Sequence, residues 1–325
     1  PAQMMLGQNE DSEQLKIIKQ KYGFDKSLTT QYFYYVNDLS PLSFHSKNET
    51  DYTFYNAKKY SGAELFSIAN TNIALKFPYL RESFTKQGKK VSQVLSETLP
   101  NTFVLAVSAI GIALLLGLFL GVFSALYKDT FLDKAIQILS TLGMSVPSFF
   151  SSILFAWFFG YIFHEFTNLE MTGSLFELDD YGVKTNLKLK NLILPAIVLG
   201  IRPLAVIIQL MRNSLLEVLN QDYIRTARAK GLSEFQIIKN HTIKNALNPV
   251  VTAISGWFAS LLAGAVFVEY IFGWNGLGKE IVNALNTLDL PVIMGSVLVI
   301  ATLFIVINIL VDIIYTLLDP KVKLE

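Results

Sequence analysis

Apolar and polar positions fall in long blocks along this 325-residue chain. Five blocks are apolar for long enough to be read as membrane spans, at residues 99–127, 135–163, 192–211, 247–272 and 292–318. The first has no charge between Glu97 and Lys128, and its Gly111, Gly117 and Gly121 would let neighbouring helices approach closely. The second carries Pro147 at its middle, flanked by Ser145 and Ser148, so a kink is expected there. The third is interrupted by Arg202-Pro203. An arginine at bilayer depth costs about 2.5–3.5 kcal/mol on insertion scales and faces protein or water, not lipid. Arg202 is therefore a candidate residue of a solute pathway; the alternative is a structural partner for a carbonyl freed near Pro203. The fourth block holds Gly256 and Gly264. The fifth ends with Asn308 and Asp312, where Asp312 reads as an interhelix contact and not as a proton relay.

Residues 1–96 contain no such block. A helix is expected over residues 10–22, closed by Gly23 and followed by the aromatic patch LTTQYFYYV. The segment 45–72 is rich in Asn, Ser, Thr and Tyr, and its residues 51–55 suggest a short strand; the whole reads as a surface elaboration, the alternative being a contact for another protein. Twelve Lys and Arg lie in this region, which does not fix its side, because long polar domains cross a membrane largely regardless of charge. A loop at 164–190 carries Glu165, Glu170, Glu177, Asp179 and Asp180 beside His164. No spacing among them defines a metal geometry, and a solvated acidic loop is expected.

Composition agrees with the block pattern. Hydrophobic residues make up 52% and charged residues 16%, as for an integral membrane protein. The net charge of +1 leaves no nucleic-acid footprint, and the absence of Cys excludes disulfides and thiolate chemistry. No Ser-His-Asp set, His-Glu-x-x-His motif or pair of carboxylates within a span points to catalysis, so a non-catalytic subunit is expected.

One polar, basic island stands between apolar blocks, DYIRTARAKGLSEFQIIKNHTIKNALNPV at residues 222–250. Asp222 is read as an N-cap, residues 223–230 as a short helix, and Gly231 as its left-handed terminator. Ser233-Glu-Phe-Gln236 is a capping-box pattern that restarts a helix at once. Arg225, Arg228, Lys230, Lys239, Lys244 and His241 stand against only Asp222 and Glu234, and basic loops of this length stay in the cytoplasm. Thr226, Ala227 and Ala229 are small enough for close docking of another protein.

This block resembles the cytoplasmic coupling loop of ABC importer permeases, in the dipeptide, oligopeptide and nickel branch. Arg225-Thr226-Ala227 stands where the general loop signature has Glu-Ala-Ala, a replacement typical of the peptide branch. Residues 269–278 resemble the family's Glu-x-x-Phe-x-Trp-Pro-Gly-Leu-Gly, with Asn275 for the Pro, and Leu290 replaces the usual Tyr before Pro291. The same stretch imitates a phosphate-binding loop, but Glu280 occupies the Ser/Thr position and a membrane helix, not a strand, precedes it.

The resemblance implies an all-α membrane protein with the type I ABC importer fold and a small mixed extracytoplasmic region. Residues 1–96 would be extracytoplasmic, 97–325 the permease domain and 216–246 the coupling loop. Pro1-Ala2 resembles a stretch that follows a first membrane helix in the branch, so a first span is expected to precede residue 1. The implied site is an ATPase-docking surface of Tyr223, Ile224, Arg225, Thr226, Ala227, Arg228, Ala229, Lys230, Gly231 and Leu232. The implied partners are a second homologous permease, two ATPase subunits that bind ATP and Mg, an extracytoplasmic substrate-binding protein and membrane lipid. No cofactor belongs to this chain, and the expected location is a bacterial or archaeal inner membrane. The implied function is ATP-driven import of oligopeptides or dipeptides. Nickel or another small solute, or an ion-coupled secondary transporter, are the alternatives.

Overall fold

A computed structural model describes residues 12–179 and 181–318 of the chain. The expectations for Pro1-Ala2, Glu10, Asp180 and the side chain of Asp312 lie outside the described residues. The elements are α1 (Ser12–Lys21), α2 (Leu28–Leu39), β1 (Leu42–Ser46), β2 (Gly62–Ile68), β3 (Thr71–Lys76), α3 (Val91–Leu126), α4 (Phe131–Ser145), α5 (Ser148–Trp157), α6 (His164–Thr167), β4 (Phe176–Leu178) and β5 (Thr185–Leu187). They continue with α7 (Lys190–Leu219), α8 (Asp222–Ala229), α9 (Glu234–Ile237), α10 (Ile243–Ala246), α11 (Asn248–Gly264), α12 (Val266–Phe272), α13 (Leu277–Asn286) and α14 (Leu290–Leu318). Two compact units emerge, residues 1–97 with 283–298 and residues 98–282 with 299–325.

In the first unit β1, β3 and β2 form an antiparallel sheet in that order. Alternation along β1 turns Ser43 and His45 inward and leaves Leu42 and Phe44 exposed, so this sheet buries a polar face. The polar face is tolerated because its groups are paired. Buried Asp38 accepts hydrogen bonds from the Tyr52 hydroxyl at 2.7 Å, the Tyr60 hydroxyl at 2.9 Å and Arg81 Nε at 2.9 Å. Burial, and then the Asp38 charge, push the Tyr52 and Tyr60 hydroxyls well above the ordinary tyrosine range. Residues 51–55 are therefore a turn and not the expected strand. Asp51 and Phe54 bond backward to Asn48 and Asp51, and the side chains of Tyr52 and Tyr60 help to build the centre of the unit. The 45–72 segment is thus structural as well as superficial. Asp289 closes the same unit by accepting from Ser83, Thr85 and the Phe84 N–H. Burial would raise its carboxyl, but these hydrogen bonds win and hold it below the usual range.

In the second unit α3 packs against α7 along small residues. A Cβ on Gly117 would lie 2.6 Å from Ile207, and one on Gly121 would lie 2.7 Å from Met211. Gly111, expected to serve the same contact, has no such neighbour. Leu105, Ala109, Ile207, Met211 and Leu215 are fully buried in this packing.

Two expected spans differ from simple rods. Among the described residues three helices are long and apolar enough to cross a membrane, or five if each bent pair is one span. At Pro147 the chain turns by 110° between α4 and the helical stretch that begins with α5, so the proline starts a new helix and does more than kink one. The fourth block bends by 56° between α11 and α12. The third block extends beyond residue 211, because α7 runs to Leu219 through the helix-favouring sequence RNSLLEVL. Residues 216–219 consequently belong to α7 and not to a loop.

Candidate functional site

The chain leaves α7 through Asn220 and Gln221 and enters α8 directly. Gln221 holds the N-cap position and makes no side-chain cap; Asp222, expected there, is the first helical residue and lies 3.5 Å from Arg225. Gly231 has φ +80°, the left-handed conformation that ends α8, and a Cβ there would meet nothing within 4 Å. Ser233 then forms both bonds of a capping box with Gln236, and α9 begins. A π-helical turn at Ile238–Thr242 joins α9 to α10.

This turn has its own small core. Ile224, Ala227 and Ile237 are buried together, with Leu232 packed on them. Arg228 spans the turn with a forked bond to Glu234, at 2.8 and 3.3 Å. The Tyr223 hydroxyl accepts from Asn245 Nδ2 at 3.0 Å and ties α8 to α10. Ile224 and Ala227 therefore hold the loop's fold, and Ala227 is not on the face where close docking was expected. Tyr223, Arg225, Thr226, Arg228, Ala229, Lys230 and Gly231 are exposed. The result is a basic, solvent-exposed helix of two turns, tied at its base by these contacts.

Toward the base of α7 lies a buried ion pair that sequence reasoning missed. Asp133, near the start of α4, accepts from Arg212 Nε at 2.8 Å and Nη2 at 2.7 Å. It also accepts from the Ser124 hydroxyl on α3 and from the Asp129 N–H. Three helices thus meet on one carboxylate, seven residues before the end of the helix that leads into α8. The available signal was a charge at each end of an apolar block, Asp133 before the second and Arg212 after the third.

Arg202 lies on α7 and is exposed on one side. It borders a cavity of about 70 Å³, together with Gly143, Val146, Ser148, Ser151, Trp257 and Ser260. The cavity sits at the Pro147 break, where α5 starts without a side-chain cap.

Residues 269–278 form a knot, not a nucleotide site. Buried Glu269 accepts the N–H groups of Gly278 at 2.6 Å and Lys279 at 3.2 Å. Lys279 Nζ is engaged by the Gly273 carbonyl and Asn275 Oδ1. The donors that a phosphate would need are already committed. Trp274 is buried, and its Nε1 donates to the Asn101 carbonyl at 3.0 Å. Asn275 donates its N–H to Ser174 Oγ at 3.0 Å, a bond that proline at this position lacks.

Long and broken apolar helices, with a short basic helical turn between two of them, are the features this fold shares with membrane permease domains. Residues 117–324 match the family described as binding-protein-dependent transport system inner membrane component, and the chain belongs to that family. Its fold is that of type I ABC importer transmembrane subunits. The solved inward-facing MetNI methionine ABC transporter aligns with TM-score 0.55 at 15% identity, covering 70% of this chain and 97% of that one. The chain is 39% identical over 243 residues to the dipeptide transport system permease protein DppB of Bacillus subtilis, covering 75% of this chain and 74% of that protein. It is 41% identical over 237 residues to the DppB protein of Haemophilus influenzae, covering 69% and 71%.

Proposed function

We propose that this chain is the permease subunit of an ATP-driven importer for dipeptides or oligopeptides, and that Tyr223–Leu232 is where an ATPase subunit docks. The observation that carries this reading is the coupling turn itself. Its apolar residues are buried in its own base, while Tyr223, Arg225, Thr226, Arg228, Ala229 and Lys230 face outward with nothing among the described residues covering them. Two such docking turns, one on this permease and one on a second homologous permease, would receive two ATPase subunits. Those subunits bind ATP and Mg; this chain supplies no catalytic group and no cofactor site. A substrate-binding protein would deliver peptide to the extracytoplasmic region, residues 1–96, and the permease domain, 97–325, would switch access between the two faces of a bacterial or archaeal inner membrane.

The mechanism follows from connectivity. Movement of a docked ATPase displaces α8, and α8 is joined to α7 by only Asn220 and Gln221. α7 holds α4 through Asp133–Arg212, and α4 ends at the 110° break beside Arg202. A push at the loop is thus transmitted to the broken helix and not absorbed in a flexible linker.

Sidedness is the first test. Because the chain has no Cys, single Cys residues can be placed without background. In the intact importer, Cys at Ser233 or Lys239 is expected to react with an impermeant thiol reagent only from inside. Cys at Asn56 or Asp179 is expected to react only from outside. Labelling of Lys239→Cys from outside would reverse the orientation and remove the docking assignment.

A further inference from the structure

The guanidinium of Arg202 has no hydrogen bond or ion pair among the described residues, although the next arginine on the same helix, Arg212, is bound bidentately by Asp133. Arg202 follows Lys190 by twelve residues on a continuous helix, about 18 Å from its start, and is farther still from Leu219. At that depth neither phospholipid headgroup layer supplies a counter-ion, and an unpaired guanidinium facing hydrocarbon is costly. The group is positioned at a cavity whose remaining polar lining is hydroxyl, from Ser148, Ser151 and Ser260, with Trp257 as an apolar wall. No carboxylate lines that cavity.

Its volume of about 70 Å³ admits a group the size of a carboxylate, since a water occupies about 30 Å³. It is too small for a whole peptide, whose remaining length would have to lie along the exposed side of Arg202. A fork of guanidinium donors with nearby hydroxyls matches a carboxylate bidentately and gives a bare cation nothing to bind.

We propose that Arg202 and the serine-lined cavity at the Pro147 break form a subsite for the free α-carboxylate of the transported solute. This rests on the peptide-importer reading and deepens it: the permease itself, and not only the binding protein, recognises the carboxyl end of its substrate. The subsite also favours carboxylate-bearing solutes over nickel ion.

A two-by-two cycle in proteoliposomes tests it, using the full importer with its binding protein and ATP. Uptake of a tripeptide is compared with uptake of its C-terminal amide, in the unaltered permease and in Arg202→Gln. Any discrimination by the binding protein is common to both permeases and cancels in the cycle. Arg202→Gln is expected to lower the acid-to-amide uptake ratio by roughly tenfold or more, the effect of losing one charge-assisted bond. Arg202→Lys, which keeps the charge but loses the fork, is expected to give a ratio between those of Arg202→Gln and the unaltered permease. Ser260→Leu, at an exposed position on α11, fills the cavity without touching the charge and is expected to lower the ratio as well. If acid and amide fall by the same factor in Arg202→Gln, the arginine supports the permease or pairs with the second subunit, and the subsite is wrong. An unchanged ratio in both Arg202→Gln and Ser260→Leu overturns it equally. Should Arg202→Gln fail to assemble, an unchanged ratio in Ser260→Leu alone overturns it. If the unaltered importer takes up neither peptide, it is the peptide-importer reading that fails.

Discussion

Replacing Gly231 by Val is expected to uncouple the importer while leaving the permease in the membrane. The residue sits at φ +80°, where a β-branched side chain is disfavoured by roughly 1–2 kcal/mol or more. No atom lies within 4 Å of the missing Cβ, so the penalty is one of backbone conformation and not of collision. The chain relieves it by rotating out of the left-handed region, and that rotation moves α8 against α9. The turn's core of Ile224, Ala227 and Ile237 and the Arg228–Glu234 fork then lose register. A protein of this size tolerates such a local loss, but a docking surface does not tolerate the displacement. Subunit recovery should be near normal, while ATP hydrolysis continues with peptide uptake reduced by an order of magnitude, or the ATPases bind poorly. Gly231→Asn is the control, because asparagine enters the left-handed region more readily, and it should keep most of the coupling. Equal, normal uptake in both variants would make the loop a mere tether.

Asp133→Ala is expected to be the most damaging single substitution to the stability of the membrane unit. It leaves the half-buried Arg212 without its counter-ion and deprives the Ser124 hydroxyl and the Asp129 N–H of their acceptor. Removing one partner of a buried pair costs about 3–5 kcal/mol, because the remaining charge is uncompensated. The loss should appear as a lower melting temperature of the detergent-solubilised complex and poor recovery. The double variant Asp133→Leu with Arg212→Met removes both charges, so much of the stability should return. Uptake should not return with it, because the link between α7 and α4 has been replaced by contacts that need not move as one. A double variant that transports normally would show that the pair is structural and carries no motion.

Local rules made the coupling turn readable. Gly231 is followed at once by a capping box, and both features are decided within six residues, so the sequence sufficed for the φ of one and the bonds of the other. The length of the apolar blocks likewise separates spans from polar loops without knowledge of their partners. What stayed hidden depends on distant residues. Ala227 turns inward because Ile237 and Leu232 meet it across the turn. Asp133 and Arg212 are 79 positions apart, and each alone reads as an ordinary interfacial charge.

Pro147 illustrates a different limit. A proline within an apolar run is compatible with a kinked helix or with the first turn of a new one. In the fold the chain breaks there by 110°, with Ile201 packed close against Gly143. Tyr52 and Tyr60 show the same dependence. Tyr52 stands in a strand-like stretch but sits in a turn, and its hydroxyl and that of Tyr60 both donate to buried Asp38, a contact between distant positions. Asn275, a departure from the family pattern, becomes intelligible once its N–H is seen to donate to Ser174.

The account stands most directly on peptide uptake into proteoliposomes that contain this permease, its second permease and the two ATPase subunits, with loaded binding protein outside and Mg-ATP inside. It predicts accumulation of labelled peptide that requires both the ATP and the binding protein, and that is indifferent to proton and sodium gradients. Uptake driven by an ion gradient without ATP, or ATP-driven uptake of nickel with none of peptide, would contradict it.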